Sequence, residues 1–235
     1  MKCASRRLAV LRLALVITLA GVPRPTARAG VLALSDERAG EAQRGKALAG
    51  FWEKKPQLIE AMREDRRIVV SSKVERTGSS DRPEDHFQIQ GAGWVKASPD
   101  EAFRIAQDYA RLPEISEHFQ KAVWSAEKSE LFLAMVALGY VTEMKLAMRS
   151  REIQSERELF FEVIEGHFLG LKGRLAFAPK MQGEVTQVAL FVDHKSPELP
   201  LPRALMGVVL EAIAEKVAQR MRRHMENRKA ASSRS

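Results

Sequence analysis

The chain has one cysteine, two tyrosines and three tryptophans in 235 residues. The cysteine is Cys3, inside the basic and apolar start of the chain. Beyond it there is no thiol, which excludes disulfides, cysteine metal sites and a cysteine nucleophile from residues 4–235. Gly-x-Ser-x-Gly, a phosphate loop and a dinucleotide fingerprint are all missing, so three common enzyme signatures are excluded. The five histidines (His86, His118, His167, His194 and His224) form no HxxxH, HExxH or HxH spacing. Without converging ligands they predict no metal site. Gly91-Ala92-Gly93 sits in strand-like sequence and reads as a bend, not a nucleotide turn.

The first thirty residues carry an address. Lys2, Arg6, Arg7 and Arg12 are followed by the apolar run Leu13–Val22, by Pro23 and Pro25, and by Ala27-Arg28-Ala29. Basic, apolar and small-residue regions in that order predict a secretory signal peptide cleaved after Ala29. The apolar run of about ten residues is short for the ~30 Å hydrocarbon layer. Of the formal net charge of +8, six positive charges lie before residue 30, leaving about +2 on the rest. The basic balance therefore gives no support to nucleic-acid binding once the leader is removed, and periplasmic export is the expected destination.

Four segments are expected: a signal peptide over 1–29, a helical arm over 30–65, a main domain over 66–228 and a disordered tail over 229–235. Ser35-Asp36-Glu37 can cap a helical stretch running to residue 63, interrupted by Gly40, Gly45, Gly50 and Pro56. Ile68–Val74 reads as a strand, Thr77–Asp85 as a breaker-rich turn, and Phe87–Val95 as a strand with alternating polarity. Ser98-Pro99-Asp100-Glu101 is a helix start: a capping serine, proline where its missing N–H costs nothing, and a glutamate able to close a capping box. That helix is expected to run to Leu112-Pro113, with a second short helix over Glu114–Phe119. Six strands follow: Val123–Ala126, Leu131–Leu138, Met144–Arg151, Leu159–Ile164, Gly173–Ala178 and Thr186–Asp193. A last helix is expected over Arg203–Asn227, with an apolar stripe at Met206, Leu210, Ile213, Val217 and Met221. This order predicts an α+β fold in which a curved antiparallel sheet wraps a long C-terminal helix.

Two passages in sequence carry a resemblance. Ser98-Pro99-Asp100-Glu101 with Asp108-Tyr109-Ala110-Arg111-Leu112-Pro113-Glu114 is one. Glu165-Gly166-His167-Phe168 followed by Gly173-Arg174-Leu175-Ala176-Phe177 is the other, and Pro200-Leu201-Pro202 precedes the last helix. Over residues 66–226 the chain resembles the polyketide cyclase/dehydrase family of the START-like (SRPBCC) helix-grip superfamily, including its coenzyme-Q-binding branch. It departs at Leu175, where many relatives carry tryptophan. The resemblance implies a cavity between long helix and sheet for a hydrophobic small molecule such as a lipid, quinone or polyketide-like compound.

Candidate lining residues are the flexible or aromatic side chains of sheet and helix: Tyr109, Phe119, Trp124, Phe132, Met135, Tyr140, Met144, Met148, Phe160, Phe168, Phe177, Met206, Leu210 and Ile213. Tyr109, Tyr140, Glu143 and Glu165 are the candidates for polar groups in such a cavity. Asp193-His194 is the most site-like pair, although adjacent strand residues point to opposite faces. With no convergent catalytic pair, the expectation is an exported binding protein with no cofactor, no nucleic-acid partner and at most transient membrane contact. A cyclase, aromatase or hydratase of the same fold, and a partner-binding module, are the alternatives.

Overall fold

The computed structural model describes residues 50–79, 82–137, 140–196 and 203–232. The leader, the cleavage position Ala29 and the first part of the arm lie outside the described residues.

The elements in chain order are α1 (Pro56–Arg63), β1 (Val69–Ser79), β2 (Arg82–Val95), α2 (Pro99–Ala106), a 3-10 turn (Tyr109–Arg111) and α3 (Leu112–Ile115). Then come β3 (Phe119–Ser125), β4 (Glu130–Ala137), β5 (Tyr140–Ile153), β6 (Glu156–Gly166), β7 (Lys172–Lys180), β8 (Val185–Ser196) and α4 (Arg203–Ser232). One antiparallel sheet has the order β1-β2-β8-β7-β6-β5-β4-β3. With α4 against its concave face, this is the α+β helix-grip fold.

Local chemistry explains most boundaries. The Ser98 side chain accepts a hydrogen bond from the Glu101 N–H (3.3 Å), and Asp100 and Glu101 face the positive end of α2. The helix stops at Ala106, earlier than expected. Pro113 explains why one helix does not run through: in mid-helix its ring would clash and its missing N–H would leave a carbonyl unpaired, whereas in the first turn of α3 neither cost arises. β1 and β2 also reach further into the polar turn than expected, with Thr77 opposite Glu84 and Gly78 opposite Pro83. Ladder pairing here overrides turn composition.

The pleat sorts the strands into two faces. The concave face carries Leu131, Leu133, Met144, Leu146, Met148, Leu159, Val163 and Phe177, packed with Phe103 and Ile105 of α2 and Met225 of α4. The convex face is also apolar over β1, β2 and β8. There Trp52 and Met62, from the arm, bury themselves against Val69, Ala92 and Ala189. Trp52 is 1% exposed and packs against Phe51 and Phe191, at centroid distances of 5.3 and 5.8 Å.

Helix α4 is fixed to one side of the sheet. Gly207 lets it approach β1, where an added Cβ would stand 3.0 Å from Ser72 Oγ. Glu211 accepts hydrogen bonds from the Ser72 N–H (2.6 Å) and hydroxyl (2.9 Å). Further along, Glu226 pairs with Arg66 and accepts from the Lys96 N–H (3.0 Å), and Arg228 meets Asp108 (2.7 Å). The helix thus runs antiparallel to β1, over β1 and β2 and onto α2 and α3.

Candidate ligand-binding hollow

Anchoring α4 on β1 and β2 leaves the concave surface of β8, β7 and β6 incompletely covered. Exposed Val208, Ala212, Lys216 and Arg223 mark the solvent side of α4. At 100° per residue, the opposite side carries Leu210, Ala214, Val217, Met221 and Met225. Of these only Met225 is closed off, at 2% exposure, and the other four are half-buried. The facing sheet wall behaves alike: Val188, Leu190 and Val192 of β8, Leu175 of β7 and Phe161 of β6 are half-buried. Two apolar surfaces in close contact would bury each other to core density. Solvent reaches part of both walls, and α4 rests mainly on β1 and β2. An open-sided apolar hollow is therefore left along β8, its inner margin closed where Phe161, Leu175, Val188 and Met221 pack against the core.

One end of the hollow is aromatic. His194 follows Val192 on the same face of β8 and is 4% exposed. Its ring lies 5.0 Å from Phe87 and 5.9 Å from Phe168. Phe168 holds its position with a left-handed backbone (φ 61°), uncommon for an aromatic residue. Among the described residues the His194 Nδ1 has no hydrogen-bond partner. A buried unpaired nitrogen of this kind costs about 1–3 kcal/mol. Burial lowers the His194 pKa below its ordinary 6.5, against the opposing pull of the Asp193 charge. Asp193 itself is on the convex face, bonded to His86 and Gln88, both at 2.8 Å. Burial alone would raise its pKa, but those hydrogen bonds and the Lys195 charge bring it below the usual value.

A second recess, of about 550 Å3, opens where Tyr109 meets Trp124 at 4.8 Å, beside Met148, Ser150 and Leu159. Burial pushes the Tyr109 pKa up to about 12, so the phenol stays neutral. A third, of about 590 Å3, lies at the start of α2 beside Arg157 and Gln182. Arg157 is already held there by Asp100 at 2.8 Å.

The expected lining residues divide accordingly. Leu210 faces the hollow, Ile213 is half-buried beside it and Met206 is buried at 2% near the helix start. Phe168 closes the aromatic end. Tyr109, Trp124 and Met148 come together at the second recess. Met144 and Phe177 belong to the packed core, with Phe119 and Met135 against it, so the space over β4 and β5 is filled by protein where a cavity was expected. Phe132 and Phe160 lie on the convex face. Lys121 sits 5.6 Å from the Phe132 ring centroid and Arg151 5.3 Å from that of Phe160. Alternation along β4 and β6 puts Leu131, Leu133, Leu159 and Phe161 inward and these two rings outward, so neither can line a space under α4. The Tyr140 side chain lies outside the described residues. Glu143 is exposed and Glu165 pairs with Lys145 at the surface, so neither acid enters the hollow. Val188, Leu190, Val192, Leu175 and Val217 were passed over because plain aliphatic residues carry no signal beyond core packing.

The fold recurs in solved structures of low sequence identity. A START superfamily protein from Mycobacterium smegmatis matches at 17% identity and TM-score 0.51, over 60% of this chain and 97% of the other. A protein from Thermus thermophilus matches at 19% and 0.50, over 59% and 96%. The Zhui aromatase/cyclase from a Streptomyces species matches at 14% and 0.50, over 61% and 95%. At such identities the likeness shows the fold alone. No curated protein matches the sequence. The family model for polyketide cyclase / dehydrase and lipid transport matches residues 95–222, more than half of the chain, and the protein belongs to that family.

Proposed function

We propose that this protein is an exported carrier that binds an apolar small molecule in the hollow between α4 and the sheet, without transforming it. The observation that carries this reading is the half-burial of apolar side chains on both walls. About 25 cal/mol is gained per Å2 of apolar surface removed from water, so a lipid, quinone or polyketide-like guest would be held mainly by contact. The family's description, which names both lipid transport and cyclase/dehydrase chemistry, fits a guest of this kind. Binding is favoured over turnover because the described walls bring no two ionisable groups together. Export rests on the leader over residues 1–29, and a periplasm is the compartment we assign. The coenzyme-Q branch adds one guest to test.

Native mass spectrometry of the purified protein, followed by organic extraction, tests this reading. A co-purifying apolar molecule is the expected result. Protein that carries none, and that gains no thermal stability from phospholipid, ubiquinone or fatty acid, would overturn it.

A further inference from the structure

We propose that His194 is the polar anchor of the hollow, its free ring nitrogen sharing a hydrogen bond with an uncharged carbonyl or hydroxyl oxygen of the bound molecule. This deepens the carrier reading and rests on it. The position comes from the strand period: Val188, Leu190, Val192 and His194 lie in one line along the inner face of β8. The neighbouring rings, Phe87 and Phe168, offer the imidazole no hydrogen bond. Two other polar groups on this face are engaged. The Thr186 hydroxyl donates to the Ala97 carbonyl (2.7 Å), and Ser72 is bound to Glu211. His194, 4% exposed, keeps its Nδ1 unpartnered beyond Val192, with that atom itself closed off from solvent. A guest oxygen therefore reaches it only by entering between the ring and its neighbours Phe87 and Phe168.

The chemistry narrows the guest. A neutral imidazole has one donor and one acceptor nitrogen, so it can pair with a hydroxyl or a carbonyl. Burial disfavours its cation. A carboxylate or phosphate headgroup therefore gains no counter-charge here, and a neutral ketone, quinone or alcohol fits better.

Two nearly isosteric probes test the inference: 2-acetylnaphthalene, with a carbonyl, and 2-ethylnaphthalene, without one. Each is titrated calorimetrically into the full-length wild type and into His194→Phe. The wild-type preference for the ketone, taken as the ratio of the two binding constants, should fall about five- to tenfold in His194→Phe. Affinity for 2-ethylnaphthalene should stay equal or rise. His194→Met, apolar and flexible, gives the same readout if the phenylalanine does not fit. A ratio unchanged in the folded variants would remove His194 as the anchor and leave the hollow intact. Failure of both probes to bind the wild type would overturn the hollow itself, and the anchor with it.

Discussion

The ring of Phe161 lies over Gly173, filling the space that any β-carbon at position 173 would need. The two residues are register partners on β6 and β7, and together they form part of the hollow's floor. Gly173→Ala should push the ring toward α4. Overpacking of this kind costs about 1–3 kcal/mol, visible as a lower urea midpoint. Calorimetry should also show weaker binding of 2-ethylnaphthalene. Adding Phe161→Leu should restore part of both.

Trp52 should matter for stability and not for binding. It is buried on the convex face, with the sheet between it and the hollow. Trp52→Ala should cost about 3–5 kcal/mol by opening a cavity over Val69, Ala92 and Ala189. The fraction that remains folded should bind the naphthalene probes with wild-type affinity, measured per folded molecule.

Glu158 is the convex face's buried acid, its side chain 5% exposed. It accepts from Arg151 (3.0 and 2.6 Å) and from Arg174 (2.7 Å), whose guanidinium also stacks 4.6 Å from Phe191. Arg174 is mostly buried and Arg151 half exposed. Removing the acid leaves a buried guanidinium unpaired, a change worth about 3–5 kcal/mol where both partners are fully buried. With Arg151 open to water, Glu158→Leu should cost less, roughly 2–3 kcal/mol, read from denaturant unfolding.

Acid should weaken the fold through His194, which is buried, and His224, which is half-buried. The His194 and His224 pKa values are lowered in the folded state, mainly by burial. The unfolded chain therefore takes up protons first, beginning near the ordinary histidine value of about 6.5. Stability should be flat above that pH, fall as pH drops through 6.5 toward the folded values, and level off below them. His194→Phe should fall less steeply over that window, measured by urea unfolding at stepped pH. Equal slopes would show that His194 does not contribute.

Export has its own test. Expressed with its own leader in a diderm bacterium, the protein should be recovered from the periplasm with Gly30 at its N-terminus. Cytosolic protein with an intact N-terminus would sink the assignment.

Much of the fold was legible because it is written locally. Ser98-Pro99-Asp100-Glu101 starts a helix whatever surrounds it, and the alternation in Phe87–Val95 and Thr186–Asp193 marks strands without knowledge of their partners. The stripe of α4 was nearly right, with its inward side centred on Leu210, Val217 and Met221 and Ile213 rotated away. The candidate site was less legible. Aromatic and methionine content named Phe132 and Phe160, which point outward, and missed the aliphatic wall of β8.

The sequence by itself determined the family and most elements of the main domain in their order, because capping, periodicity and turn chemistry act over a few residues. It put the short helix at Glu114–Phe119, where the structure has Leu112–Ile115 and begins β3 at Phe119, and it began a disordered tail at 229, where α4 runs on to Ser232. Only the tertiary structure decided which side of each strand is inside. Trp52 and Met62 make the convex face apolar as well, so hydrophobicity no longer tells one face from the other. Alternation puts Asp193 and His194 on opposite faces. Pairing of β8 with β2 and β7 turns the histidine inward and leaves its Nδ1 buried without a partner beside Phe87 and Phe168.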